Sequence, residues 1–302
     1  VRRILRLSFR TTMDVNRPLG SMLSPEHYEA ARRIGEEGIV LLQNKDGVLP
    51  IDLNKVKKIA VIGENAVKMM TVGGGSSSLK VQYECSPLDG IKRRIGDGIE
   101  ISYARGYVGD TGGQFDGVSS GQNLKDDRSA RQLIEEAVRI AQSADYVIFI
   151  GGLNKSGHQD CEDTDRKGLE LPYKQDKVIS EIPAVIQAWY LGTEAGNAIA
   201  SVLVGDVNPS GKLPFTFPEK LEDVGAHQLG DYPGRQREDG IFDEKYNESI
   251  FVGYRWTDKQ KIRPLFPFGH GLSYTTFAYG KATVNKKVMK IDEQIAITVP
   301  IT

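Results

Sequence analysis

The chain has 302 residues, 39% hydrophobic and 26% charged, and its 39 lysines and arginines nearly balance 40 aspartates and glutamates for a formal net charge of −1. This is the make-up of a globular protein able to bury a sizeable core, with no electrostatic footing for nucleic acid or an anionic membrane surface. No apolar run approaches the roughly eighteen residues of a bilayer span, and Cys85 and Cys161, far apart and outside any CxxC pair, predict neither a zinc site nor a disulfide framework.

The opening VRRILRLSFR has no initiator Met and no apolar core or small-residue cleavage site of a signal peptide. Its apolar Val1, Ile4, Leu5 and Leu7 or Phe9 recur at helical spacing between arginines. They predict the last turns of a helix belonging to something upstream, and hence a portion of a longer polypeptide. Residues 11–23, TTMDVNRPLGSML, lack periodicity and contain Pro and Gly, so they read as a linker. SPEHYEAARRIGEEGIVLLQN then opens on Ser24 as N-cap with Pro25 at the first helical position, which predicts a helix. It runs into a short strand, GIVLLQN, and a turn stopped by the proline of DGVLPI. KKIAVIGENA is an apolar run ending in glycine, the pattern of a parallel strand buried on both faces.

The pattern repeats as helix SPLDGIKRRIG, strand IEISYARG, long helix DRSARQLIEEAVRIAQSA and strand DYVIFIGGL. After an acidic loop come helix LPYKQDKVISEI, a helix or strand AVIQAWYLG, and helix TEAGNAIASVLVGD. Strands alternating with long helices imply right-handed crossovers. The expected fold is therefore α/β, a mostly parallel sheet flanked by helices on both faces. From about residue 215 the chain turns to Pro, Gly and aromatics, predicting loops and short strands that wrap the sheet. The tail FAYGKATVNKKVMKIDEQIAITVPIT alternates apolar and polar residues like the start of a β-sandwich.

Parallel sheets bind ligands beyond the carboxyl ends of their strands, where GENA…GGGSSS and GGLN…CEDTDR both fall. GHQDCEDTDR, residues 157–166, holds four carboxylates, a histidine and a cysteine. An acidic run is usually a solvated face, but a loop after a core strand is also where a rigid sheet positions functional groups. His158 and Cys161 lack zinc-like spacing, so no metal is expected. GGGSSS, residues 73–78, has neither a P-loop lysine nor GxGxxG spacing, which argues against a nucleotide cradle.

EEGIVLLQNKDGVLPI, AVIGENA, GGGSSS, SPLDGI, EAGNAIASVLVGDVNPSGKLPFTFP, FVGYRW and FPFGHGLSYTTF together resemble the second, α/β-sandwich domain of family 3 glycoside hydrolases, the β-glucosidase and β-xylosidase group. They follow the family's order over nearly the whole chain. The resemblance implies that residues 1–23 are the end of an upstream helix plus linker and 24–218 the α/β-sandwich. It makes 219–277 the wrapping segment of the same domain, and 278–302 the start of a truncated fibronectin type III-like β-sandwich. It further implies a TIM barrel upstream that carries the nucleophilic aspartate; the barrel's Asp-Trp motif has no match here. The implied activity is that of a retaining, exo-acting β-glycosidase, foremost a β-glucosidase, acting without a cofactor on a β-glucoside or oligosaccharide. A non-catalytic carbohydrate-binding or scaffolding module is the rival reading, and a nucleotide-binding α/β domain a third.

The family's acid/base pattern falls on Glu162, Asp163, Thr164, Asp165, Arg166, Leu169, Leu171 and Pro172. Glu162 is thus the expected general acid/base; Asp160 and Asp163 do not align. Retaining glycosidases place two carboxylates about 5 Å apart, one of them first giving a proton and later taking one. Such an acid keeps its proton near neutral pH when burial or a negative neighbour raises its pKa. Asp165 and Arg166 are expected to pair and support the loop. The resemblance implies that the stretch with Ser76 and Ser77 borders the sugar cleft, the two serines either touching sugar hydroxyls or turning the chain. Trp189, Tyr190, Tyr254 and Trp256 are read mainly as core or interface aromatics, and His270 as packing against the sheet. The family normally carries a further strand, a Gly-Pro turn and a Trp after LPYKQDKVISEI, where here Ile182 meets Pro183. Omission of those residues is the expected explanation, because losing a central strand exposes long unpaired edges. The resemblance favours a periplasmic or secreted location. The long loop 219–250 offers a surface for a homodimer that nothing in the sequence demands, and Asn247-Glu248-Ser249 is a glycosylation sequon.

Overall fold

The computed structural model covers residues 1–302 and describes all but Thr12, Asp14, Val15, residues 110–121, Gly157, His158, Asp163 and Thr164. It opens on α1 (Arg2–Thr11), which buries none of its residues, so Ile4, Leu7 and Phe9 stand in solvent. α2 (Pro25–Gly38) starts behind Ser24 with Pro25 first. Arg32 joins Glu29 and Glu36 along it, each at 2.8 Å, the spacing at which helix side chains meet.

The core is built on β1 (Val40–Asn44), β2 (Lys58–Ile62), α3 (Pro87–Ile95), β3 (Glu100–Ala104), α4 (Ala130–Gln142), β4 (Tyr146–Phe149), α5 (Gln175–Ile179), β5 (Ala184–Gln187) and α6 (Ala195–Leu203). β2 is central in a parallel sheet of order β3-β2-β4. Successive strand side chains face opposite sides, and both sides of β2 are covered. Ile59 and Val61 pack with Leu88 and Ile91 of α3 and Ala200 and Leu203 of α6, while Ala60 meets Ala137 and Ile140 of α4. Each such aliphatic side chain, once buried, contributes about 1.5–3 kcal/mol. α3 and α6 touch backbone to backbone, since a Cβ on Gly90 would lie 2.1 Å from the carbonyl carbon of Gly196.

The segment AVIQAWYLG supplies a strand, β5, which runs antiparallel to β1 with Val40 opposite Gln187. That pair is separate from the parallel sheet among the named strands. The expected omission at Ile182 is not met: Pro183 follows Ile182 directly in the 302-residue sequence. The backbone passes from Ile182, bonded to Ile179, to Pro183, whose carbonyl accepts from Lys45. The expected sheet is therefore divided between β4 and β5, because this chain has no strand there to join them.

Leu272 bridges Leu41, Phe217 bridges Phe266, and His270 Nε2 sits 2.8 Å from the Leu42 carbonyl. α7 (Gly225–Gln228) and α8 (Tyr254–Gln260) flank a short ribbon of β6 (Arg235–Gln236) and β7 (Phe242–Asp243). The sequon asparagine is engaged, Asn247 Nδ2 donating to buried Asp231 at 2.6 Å. In the tail, β8 (Thr283–Val284) and β9 (Ile297–Thr298) form one antiparallel ribbon.

Candidate active site

The loops leaving the carboxyl ends of β2 and β4 are stitched together. Asn65 Nδ2 donates to the carbonyls of Gly151 at 3.2 Å and Leu153 at 3.1 Å. Gln175, 2% exposed, accepts from the Gly152 N–H at 2.8 Å and donates back to its carbonyl at 3.1 Å. Asn154 N–H donates to Gln159 at 3.0 Å, Ser156 N–H to Asn154 at 2.9 Å, and Lys68 Nζ to the Ser156 hydroxyl at 2.6 Å. Buried polar groups persist when hydrogen-bonded, so residues 151–156 with Gln159 form a fixed polar base rather than a solvated run.

The glycine turn packs on that base. Gly73, Gly74 and Gly75 all have positive φ, +93°, +79° and +83°, a conformation other residues resist. A Cβ on Gly74 would also lie 2.7 Å from Lys155 Cε. Lys155, itself buried, reaches through to donate to the Ser77 carbonyl at 3.0 Å. Glu162 then docks on the turn twice, its N–H donating to the Gly74 carbonyl at 3.3 Å and its Oε2 accepting from the Ser76 N–H at 2.6 Å. The result is a groove of about 420 Å³ lined by Gly74, Ser77, Lys155, Asp160, Cys161, Glu162 and Tyr190, within the range of small-molecule sites.

Of the residues singled out from the sequence, Glu162 and Ser77 line the groove, and Ser76 stands behind Glu162 as its hydrogen-bond donor. The side chain and backbone N–H of Ser76 hold the Glu162 carboxyl below the usual glutamate range, against a small opposing effect of burial. That direction is opposite to the one expected of a proton-holding acid, because the carboxyl is exposed and meets donors instead of negative charge. The Asp165–Arg166 pair is also corrected. Asp165 accepts from the Tyr232 hydroxyl at 2.5 Å, while Arg166 donates to the Glu170 carbonyl at 2.7 Å. Adjacent side chains in non-helical backbone diverge, so the two anchor the loop to different neighbours. His158, Asp163 and Thr164 lie outside the described residues.

Tyr190 departs from its reading as a packing aromatic. Trp189 turns the chain out of β5 at φ +57° and donates Nε1 to the Gly38 carbonyl at 3.0 Å, and Tyr190 follows into the groove. Burial first, then the Asp160 carboxylate, push its phenol well above the ordinary tyrosine range. Trp256 is buried, and Tyr254 stacks on Phe268 with ring centres 5.2 Å apart, as packing roles demand. Lys155 was missed by sequence reasoning. Its signal was a lone lysine between a strand-ending GGLN and the acidic run.

The family model described as the glycosyl hydrolase family 3 C-terminal domain matches residues 39–182 and 179–274. Beta-glucosidase BoGH3A of Bacteroides ovatus is 44% identical over 331 aligned residues, which cover 99% of this chain and 43% of that protein. The periplasmic beta-glucosidase of Salmonella typhimurium is 32% identical, across 91% of this chain and 38% of that protein. Among solved structures, the GH3 beta-glucosidase of Bifidobacterium adolescentis superposes with a TM-score of 0.76 at 28% identity, covering 99% of this chain and 43% of that one. The chain thus spans less than half the length of each of these relatives.

Proposed function

Because this chain belongs to the glycosyl hydrolase family 3 proteins, as their C-terminal domain, we propose that it is the part of a retaining β-glucosidase that supplies the general acid/base, Glu162, and one wall of the sugar cleft. The observation that carries this reading is the position of Glu162. It stands on a groove beyond the carboxyl ends of β2 and β4, docked on the glycine turn through Gly74 and Ser76.

The chemistry needs two carboxyl groups about 5–5.5 Å apart. The nucleophile comes from a neighbouring domain, the barrel that the family pattern implies. As its carboxylate bonds to the anomeric carbon, the Glu162 carboxyl passes its proton to the departing glycosidic oxygen. The Glu162 carboxylate then takes a proton from water, whose oxygen attacks the anomeric carbon and releases the nucleophile. Ser76 as it stands favours the ionised form, which suits the second step. For the first step, closure of the neighbouring domain removes water from Glu162 and brings a second negative charge near it, and both effects raise its pKa. Ser77 is exposed on the groove, its hydroxyl making among the described residues a long 3.4 Å bond to the Gly74 carbonyl, which supports a contact with a sugar hydroxyl.

On the same reading, the unburied apolar residues of α1 pack against the barrel, and residues 278–302 begin the fibronectin type III-like domain. The Salmonella relative's periplasmic name supports an exported protein. No described helix is long and apolar enough to cross a membrane.

The test is Glu162→Gln in the full-length enzyme. Loss of a general acid lowers kcat/KM by about 10²–10⁴-fold on alkyl β-glucosides and far less on aryl glucosides, whose leaving groups need little protonation. Equal losses on both substrate classes would remove Glu162 from the role.

A further inference from the structure

The turn that presents the Ser76 N–H to Glu162 begins with three consecutive glycines, Gly73 to Gly75. Glycine loses more conformational freedom on folding than any other residue, so such a turn needs ties from outside to hold one N–H in one place. Its internal bonds close it on itself: Ser78 N–H donates to the Gly75 carbonyl at 2.9 Å, and Gly73 N–H donates to the Ser78 hydroxyl at 3.0 Å. They do not seat it on the sheet.

Lys155 does. It is 9% exposed and stands between Asn154, at 2%, and Ser156, at 1%. The N–H groups of these two neighbours are bonded to Gln159 and to Asn154, so the backbone on either side of Lys155 is fixed in the polar base. The Lys155 carbonyl oxygen lies 2.8 Å from where a Cβ on Gly73 would stand, and its Cε runs under Gly74. Its Nζ reaches the Ser77 carbonyl at 3.0 Å. Lys155 thus touches the turn at Gly73 and at Ser77, and both groups that receive Glu162, the Gly74 carbonyl and the Ser76 N–H, lie between those two points.

We propose that Lys155 is a positioning residue for the general acid/base. By fixing the glycine turn it sets the place of the Ser76 N–H, and through it the place of the Glu162 carboxyl relative to the departing glycosidic oxygen. The inference rests on the reading of Glu162 as that acid. Its physical basis is that a catalytic group displaced by about 1 Å can lose about 10²-fold in rate.

The experiment uses the full-length enzyme and Lys155→Met, which keeps an unbranched stem under Gly74 and removes the donor. Amide exchange at Ser76 should quicken about tenfold while the amides of β2 keep their protection. On alkyl β-glucosides kcat/KM should fall about tenfold or more, and on aryl glucosides far less. In a Glu162→Gln background the same substitution should add little, because residues that act as a unit are not additive. Equal losses on the two substrate classes, or a full further loss in the Glu162→Gln background, would make Lys155 a substrate contact or a general support and overturn the proposal. Unchanged exchange at Ser76, or lost protection throughout β2, would overturn it as well. Exchange needs no turnover, so it judges the hold of Lys155 on the turn even if Glu162→Gln, in its own test, removes Glu162 from the acid role.

Discussion

Glu64 and Glu162 are both carried by loops beyond a strand of the parallel sheet, Glu64 directly after the glycine that ends β2 and Glu162 on the long loop after β4, and the protein treats them in opposite ways. Glu64 is 1% exposed. Arg105 bonds it through both Nε, at 3.1 Å, and a second guanidinium nitrogen, and Lys68 Nζ lies 3.7 Å away. Its backbone N–H donates to Tyr107, whose ring stacks on Tyr173 with centres 5.1 Å apart. Glu162 stands in solvent, held among the described residues by the glycine turn. Glu64 is enclosed by cations and by the chain, whereas Glu162 is exposed on the groove and touches the glycine turn. The contrast separates a carboxylate that holds the loops together from the one proposed above for the chemistry.

The largest test of that contrast is Glu64→Ala. It strands Arg105 and Lys68 as buried cations and is expected to cost about 3–5 kcal/mol, read as a drop in the urea midpoint. Glu162→Ala should leave the same midpoint where it was. A comparable drop at residue 162 would mean that both carboxylates are structural.

Next comes Gly74→Ala, which places a side chain at φ +79° and against Lys155. The left-handed conformation alone costs about 1–2 kcal/mol, visible in thermal unfolding. Faster amide exchange at Ser76 should accompany it, because the turn that presents this N–H to Glu162 is lost.

The smallest effect is one of pH. Glu162 is held below the usual glutamate range by Ser76, so its docking contributes above the pKa of the unfolded chain and is lost as pH falls through the lower, folded value. A carboxyl-carbon NMR titration should show a midpoint below that of an unstructured glutamate. Ser76→Ala should move the midpoint upward, since the largest of the lowering effects is that side chain. An unmoved midpoint would leave the turn no hold on the carboxyl's charge.

Much of the fold was legible from local pattern. KIAVI between a basic tether and a glycine announced a strand buried on both faces, and it became the centre of the sheet. Ser86 and Ser129 cap α3 and α4 as their hydroxyls suggest, each accepting from the N–H three residues on. The site was legible in part. The acidic run after β4 and the glycine run after β2 pointed to one place, but nothing local showed that Lys155 would pass beneath Gly74, or that Tyr190, beyond β5, would reach the same groove. Asp165 and Arg166 misled for a related reason, since adjacency in sequence says little about which side chains meet.

By itself, the sequence determined most of the core strands and helices, leaving AVIQAWYLG open between the two, and that a carboxylate-rich loop leaves a buried strand. Those properties follow from side-chain periodicity and from the conformational limits of Gly and Pro, which act within a few residues. Tertiary structure alone decided the charge environment of Glu162, the partners of Asp165 and Arg166, and the division of the sheet between β4 and β5. Each of these depends on groups far apart in the chain, whose distances are set only when the core closes.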